Sequence, residues 1–137
     1  MSDASAYFVT EGAGEPAGPG RFIKVDEVET VSFAPGLTFR PVLGDNVLVN
    51  HVHFEPHVEA PTHVHVEEQI VVVLDGEFEF WIDDESRIMR RGDVAVVPPW
   101  VPHGARTHES SCMEIDVFQP PRSQILKALG DGAAKEG

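Results

Sequence analysis

Four residues combine types and spacing that allow metal chemistry: His63, His65, Gln69 and His103. Side chains alternate across an extended strand, so two histidines one residue apart face the same side. A polar residue four positions on can return to that side on the next strand, and the fold must carry His103 in from far downstream. Three neutral imidazoles and a carboxamide oxygen form a donor set suited to one divalent ion, Zn, Ni, Fe(II) or Mn. Glu68 offers a second register in which it replaces Gln69 as ligand. Alternation argues against it, because a one-residue shift sends a side chain to the opposite face. The competing explanation is a chance cluster of solvated or core histidines. Four donors set around two Gly-bounded strand pairs weigh against it, since buried histidines are uncommon.

A second group lies in Asp116-Val-Phe118-Gln-Pro-Pro-Arg122. Asp116 and Phe118 share a strand face, and the rigid Pro-Pro turn fixes where the Arg122 guanidinium lands. Physical reasoning leaves two readings level. Either Asp116 and Arg122 form a surface pair worth under about 1 kcal/mol, or Asp116 is an acid/base and Arg122 a two-point clamp for a substrate carboxylate. On the run 47–55, Leu48, Asn50, Val52 and Phe54 alternate with Val47, Val49, His51 and His53. Asn50 then looks inward with the apolar set and can touch substrate, while the two histidines form an outward surface pair. His57 and His108 fall in turns, and Glu77, Glu79, Asp83, Asp84 and Glu85 read as a wet edge.

The elements that must position these groups are short and β-rich. Runs of Val, Ile, Phe and Thr broken by Gly, Pro and Asp predict strands near 21–25, 28–33, 37–42, 47–55, 61–65, 68–74, 77–83, 86–91, 93–97, 103–107 and 111–118. Asp75-Gly76 signals a hairpin, and Asp83-Asp84 and Gly92-Asp93 mark further turns. Only Gln124–Leu129 reads as helix. Residues 1–20 read as a flexible arm, 21–122 as one β-barrel domain, and 123–137 as a short helix with a tail that frays from Gly130. About ten strands and almost no helix imply a sandwich or barrel, and a double-sheet jelly roll leaves a cavity between its sheets.

The chain has 137 residues, enough for one core, and 42% hydrophobic composition, ordinary for a globular protein. Ten Lys plus Arg against 23 Asp plus Glu give a formal charge of −13. Such a surface repels phosphate backbones and anionic lipid, so neither nucleic acid nor membrane is expected as a partner. No apolar run reaches transmembrane length, and Met1–Gly20 lacks the apolar core of a signal peptide. The single cysteine, Cys112, allows no intramolecular disulfide and fits a cytoplasmic location; it reads as a small core residue.

His63-Val-His65-Val-Glu-Glu-Gln69 with Gly76, and Gly92-Asp-Val-Ala-Val-Val-Pro98-Pro-Trp100-Val-Pro-His103, resemble the two signatures of the cupin superfamily, over roughly residues 37–122. The resemblance implies a single-domain jelly-roll β-barrel holding one metal between its sheets, and by analogy a homodimer. Two positions depart from the pattern. His57 stands where the first signature opens on glycine, and Gln69 replaces the usual ligand glutamate. A neutral amide leaves a divalent centre its full charge, which favours Lewis-acid over redox chemistry.

Within the cupins, these residues together with Val101-Pro-His103-Gly104 and the Asp116–Arg122 phrase resemble the pectin-degradation proteins that linearise unsaturated uronates. That resemblance implies His63, His65, Gln69 and His103 as metal ligands and Asp116, Phe118 and Arg122 as substrate-handling residues. The expected activity is non-redox, metal-dependent, isomerase- or lyase-type chemistry on a small anionic substrate. A metal-dependent dioxygenase, a cupin enzyme of secondary metabolism and a non-catalytic sugar- or metal-binding module are the alternatives.

Overall fold

The computed structural model describes residues 4–12 and 14–130. Its strands are β1 (Val31–Ala34), β2 (Leu37–Leu43), β3 (Leu48–Phe54), β4 (Glu59–His63), β5 (Glu68–Ile82), β6 (Glu85–Arg90), β7 (Val94–Val97), β8 (His103–Arg106) and β9 (Cys112–Gln119). All pair antiparallel. One sheet runs β1-β2-β3-β9-β5-β7 and the other β4-β8-β5-β6, with β5 common to both. The sheets therefore curl around a shared core, the all-β barrel expected of the sequence.

Strict alternation builds that core. Leu48, Asn50, Val52 and Phe54 of β3 and Cys112, Glu114, Asp116 and Phe118 of β9 are buried, while the residues between them are more open. Phe39 of β2 and Val71, Val73, Phe78 and Phe80 of β5 join them. Each apolar side chain among them gains about 1.5–3 kcal/mol by leaving water, whereas burying Asn50, Glu114 and Asp116 costs free energy. Cys112 is wholly buried, and burial pushes its thiol up to about 12, as an inert core residue requires.

Asp75-Gly76 does not turn a hairpin. Residues 68–82 form one continuous 15-residue strand. Its first part pairs with β9 and β7 and its second with β6 and β8, so both parts find partners without the chain reversing. Gly76 has φ 73°, and the register with β9 slips between Val73 and Asp75. This is a bulge that bends the strand from one sheet into the other. A side chain at 76 would run into the backbone of Ser111. The turns at 83–84 and 92–93 do form: Ile82 pairs with Glu85 across Asp83 (φ 53°), and Gly92 has φ 91°. His57 takes φ 59°, so it adopts the left-handed conformation for which glycine is normally chosen.

Three other expectations change. The strands near 21–25 and 28–33 reduce to a 3-10 turn at Val25–Glu27 and the edge strand β1, because β1 pairs only with β2 and offers 21–25 no neighbour. The strand expected over 61–65 ends at His63. The arm also contains a one-turn helix, α1 (Ala4–Tyr7), so the C-terminal helix α2 (Ser123–Leu129) is not alone. All described residues of the arm are exposed; residues 1–3, 13 and the tail 131–137 lie outside the described set. Ile125 fastens α2 to the core. Among the described residues no helix is long and apolar enough to cross a membrane.

Candidate metal and substrate site

His63 ends β4, His65 sits in the link to β5, Gln69 opens β5, and His103 opens β8 directly opposite His63 in the register. Each ring is aimed by a backbone carbonyl. Nδ1–H of His63 donates to Pro61 O at 2.7 Å, that of His65 to Glu67 O at 3.0 Å, and that of His103 to Val101 O at 2.9 Å. A carbonyl only accepts, so each proton stays on Nδ1 and each Nε2 keeps a lone pair. The Nε2 atoms of His65 and His103 lie 3.1 Å apart, and Gln69 Oε1 is 3.0 Å from both. Ligand atoms of the three histidines all fall within 4.8 Å of one another.

Burial lowers the pKa of all three imidazoles, that of His103 to about 4, and the Arg122 charge lowers them further. Neutral rings with facing lone pairs repel unless a cation accepts them. The donor set therefore fits a divalent ion by its own chemistry.

Asp116 decides which way the Gln69 amide points. Gln69 Nε2 donates to Asp116 Oδ1 at 3.0 Å, which leaves Oε1 for the imidazole side. Glu68, the alternative ligand, is exposed, because 63, 65, 67 and 69 share the inward face and 68 does not. Asp116 is buried rather than part of a surface pair. Burial raises its pKa, while contacts with Glu114 and Gln69 pull it back. Glu114 is buried beside it and pushed well above the usual carboxylate range, first by burial and then by Asp116. Burial together with the neighbouring carboxyl disfavours charge on both groups at once.

His63, Gln69, His103, Glu114, Asp116, Phe118 and Arg122 all line one cavity of about 260 Å³. Arg122 places its guanidinium 5.7 Å from the centre of the Phe118 ring. The remaining wall is largely apolar, with Phe33, Phe39, Phe54, Phe78 and Phe80 among its residues. Asn50 faces inward opposite Asp116 in the register, but it is fully buried, has no hydrogen-bond partner and does not reach the cavity wall. His51 and His53 are half-buried on the outer face, and His57 and His108 pair with Glu109 and Glu79 at the surface, as expected. Sequence reasoning passed over Glu67 and Glu114. The alternation that selected their neighbours also carries these two, because 63, 65, 67, 69 form one face and 112, 114, 116, 118 another.

Residues 50–118 match the family model described as a cupin domain. The pectin degradation protein KdgF of Dickeya dadantii (strain 3937) is 32% identical over 60% of this chain and 76% of its own length. The H2HPP isomerase of Bacillus subtilis is 37% identical over 58% of this chain, which spans only 34% of that protein. The solved structure of KdgF from Halomonas sp. superposes with a TM-score of 0.74 at 29% identity, covering 79% of this chain and all of that one. An RmlC-like cupin from Shewanella frigidimarina NCIMB 400 gives a TM-score of 0.73 at 26% identity, over 79% and 97% of the two chains. With its two signatures on facing strands around an inward His, His, Gln and His set, the chain belongs to the cupin family.

Proposed function

We propose that this cupin is a metal-dependent isomerase- or lyase-type enzyme that linearises an unsaturated uronate to its open-chain ketone. The observation that carries the reading is that Asp116 and Arg122 line the same cavity as the histidine cluster, with Gln69 bonded to Asp116 on one side and the histidines on the other. The likeness to the pectin degradation protein supports the substrate class.

His63, His65, His103 and Gln69 would hold a divalent ion, which would supply Lewis-acid chemistry toward an anionic substrate. Arg122 grips the carboxylate; burial lowers its pKa, and the nearby Glu67 and Asp116 offset part of that. Phe118 forms the apolar floor beneath it. Asp116 takes the proton of the ring hemiacetal hydroxyl, the C1–O5 bond breaks with its electron pair on O5, and the proton is returned to the alkene carbon C4. The result is an aldehyde and a ketone with no oxidant consumed. Glu114, pushed well above the usual carboxylate range by burial and by Asp116, limits the charge that builds up in the pair. Positioned acid–base groups of this kind typically contribute about 10²–10⁴-fold.

One observation favours a second reading. Five phenylalanines besides Phe118 face the cavity, and hydroxyls buried there without partners lose about 1–3 kcal/mol each. An acid with an unsaturated carbocyclic body suits that wall better than a polyhydroxylated ring. The same proton-transfer groups serve it, and the likeness to an isomerase accords with it.

Turnover of an unsaturated uronate by metal-loaded Asp116→Asn tests the proposal. Asparagine keeps an oxygen for the Gln69 amide, so metal content and melting should stay near wild type while turnover falls about 10²-fold or more. A normal rate ends the acid/base role. Loss of wild-type turnover under anaerobic conditions would instead identify a dioxygenase.

A further inference from the structure

Glu67 stands on the inward face between the candidate ligands His65 and Gln69, and it is only 3% exposed. It turns away from the imidazole cluster. One carboxylate oxygen lies 3.6 Å from His65 Nδ1, the nitrogen on the far side of the ring from His103 and Gln69. The other accepts the backbone N–H of Ser123 at 3.1 Å, 56 residues away in sequence.

Ser123 is the first residue of α2. Arg122 is its N-cap and makes no side-chain cap. The opening amides of a helix have no partner within it, so Glu67 acts as a cap supplied by another element. Its charge faces the positive end of the helix and the Arg122 guanidinium together. Arg122 Nε remains buried with no hydrogen-bond partner, which leaves one edge of the fork free for a ligand oxygen. One carboxylate therefore lies 3.6 Å behind a candidate ligand at one end and bonds the segment that carries the carboxylate grip at the other.

We propose that Glu67 is a positioning residue that ties Arg122 to His65, and so sets how far the carboxylate grip stands from the metal side of the cavity. The inference rests on Arg122 gripping a substrate carboxylate, as argued above. A fixed separation selects acids whose carboxylate is bonded directly to the reacting unsaturated carbon, because a longer spacer would carry the reacting centre past the histidines.

The test uses the full chain with Glu67→Ala and Glu67→Gln, and reads kcat and KM on an unsaturated uronate, melting, and Ni²⁺ affinity by calorimetry without substrate. Glu67→Ala should raise KM about tenfold or more with kcat within about threefold, and should weaken Ni²⁺ by less than about tenfold, because His65 keeps its bond to the Glu67 carbonyl and loses only a negative charge 3.6 Å from Nδ1. Glu67→Gln keeps an oxygen for the Ser123 amide and should restore KM to within about threefold of wild type. The tether is overturned if KM is unchanged in Glu67→Ala. It is equally overturned if kcat falls about as much as KM rises, melting drops with them, and glutamine gives no rescue. Wild-type protein that ignores the uronate refutes the proposed substrate instead. The Ni²⁺ titration then judges Glu67 alone, and equal affinity in wild type and Glu67→Ala overturns the link to His65.

Discussion

Replacing Gln69 by glutamate restores the carboxylate common at this cupin position, yet in this chain it should destabilise the metal-free protein. The Gln69 Nε2 atom donates to Asp116 Oδ1 at 3.0 Å. In Gln69→Glu that donor becomes an oxygen, and two carboxylate oxygens meet where a hydrogen bond stood. Two unit charges at that separation repel by about 5 kcal/mol at an effective dielectric of about 20. Protonating the new glutamate avoids the repulsion and restores a donor. From an ordinary pKa near 4.3, that costs about 4 kcal/mol at pH 7, which caps the penalty. The new group has a folded pKa above its unfolded one. The loss is therefore absent below about pH 4.3 and grows by about 1.4 kcal/mol per unit as pH rises, up to that cap. At roughly 4 °C per kcal/mol, metal-free Gln69→Glu should melt about 15 °C below wild type at pH 7 and about 4 °C below it at pH 5. A bound divalent ion supplies the missing countercharge, so adding Ni²⁺ or Mn²⁺ should raise its melting temperature more than that of wild type. Turnover should fall, because the site carries one less positive charge toward an anionic substrate. Melting curves with and without metal across pH 5–8 decide the matter. Identical metal-free melting of the two proteins at pH 7 would refute the Gln69–Asp116 contact and the amide orientation inferred from it.

His103→Ala should abolish stoichiometric metal binding, weakening it about 10²-fold or more, because an innermost ligand matters at least as much as the groups behind it; elemental analysis of reconstituted protein with an unchanged far-ultraviolet spectrum checks this. Gly76→Ala should cost about 3 kcal/mol or more, since the added carbon meets the Ser111 backbone and φ is 73°, and denaturant titration reads the loss. The metal-free protein should lose stability as pH falls from about 6.5 to about 4: unfolded histidines take up protons near 6.5 while burial keeps His63, His65 and His103 neutral. Glu114 and Asp116, whose pKa values are raised, act in the opposite direction, so the check is a comparison with His103→Ala: equal acid sensitivity of the two proteins would show that the His103 imidazole is not desolvated.

Period-two alternation was enough to put His63, His65 and Gln69 on one face and Glu68 off it, whereas His103 arrives only through the pairing of β8 with β4. The same rule put Asn50 inward and His51 and His53 outward, because on a strand a residue's face depends only on its parity. Breaker residues located most strand ends for a similarly local reason. What they could not say was where the chain reverses. Asp75-Gly76 offers the same backbone freedom to a hairpin and to a bulge, and only the availability of β7 and β9 on one side and β6 and β8 on the other made it a bend. The failed strand at 21–25 has the same origin, since a strand exists only where a neighbour accepts its hydrogen bonds.

The chemistry divides along the same line. Residue types and spacing named the donors and the Asp116, Phe118 and Arg122 group. Whether Asp116 meets solvent beside Arg122 or stands buried against Gln69 and Glu114 depended on how β9 packs between β3 and β5. Asn50 shows the limit from the other side: facing inward is a property of sequence parity, but reaching the cavity depends on depth. Face is a local quantity, written one residue at a time. Burial and amide orientation depend on strands far apart in the chain, as Gln69 of β5 meets Asp116 of β9, and only the tertiary structure brings those pairs together.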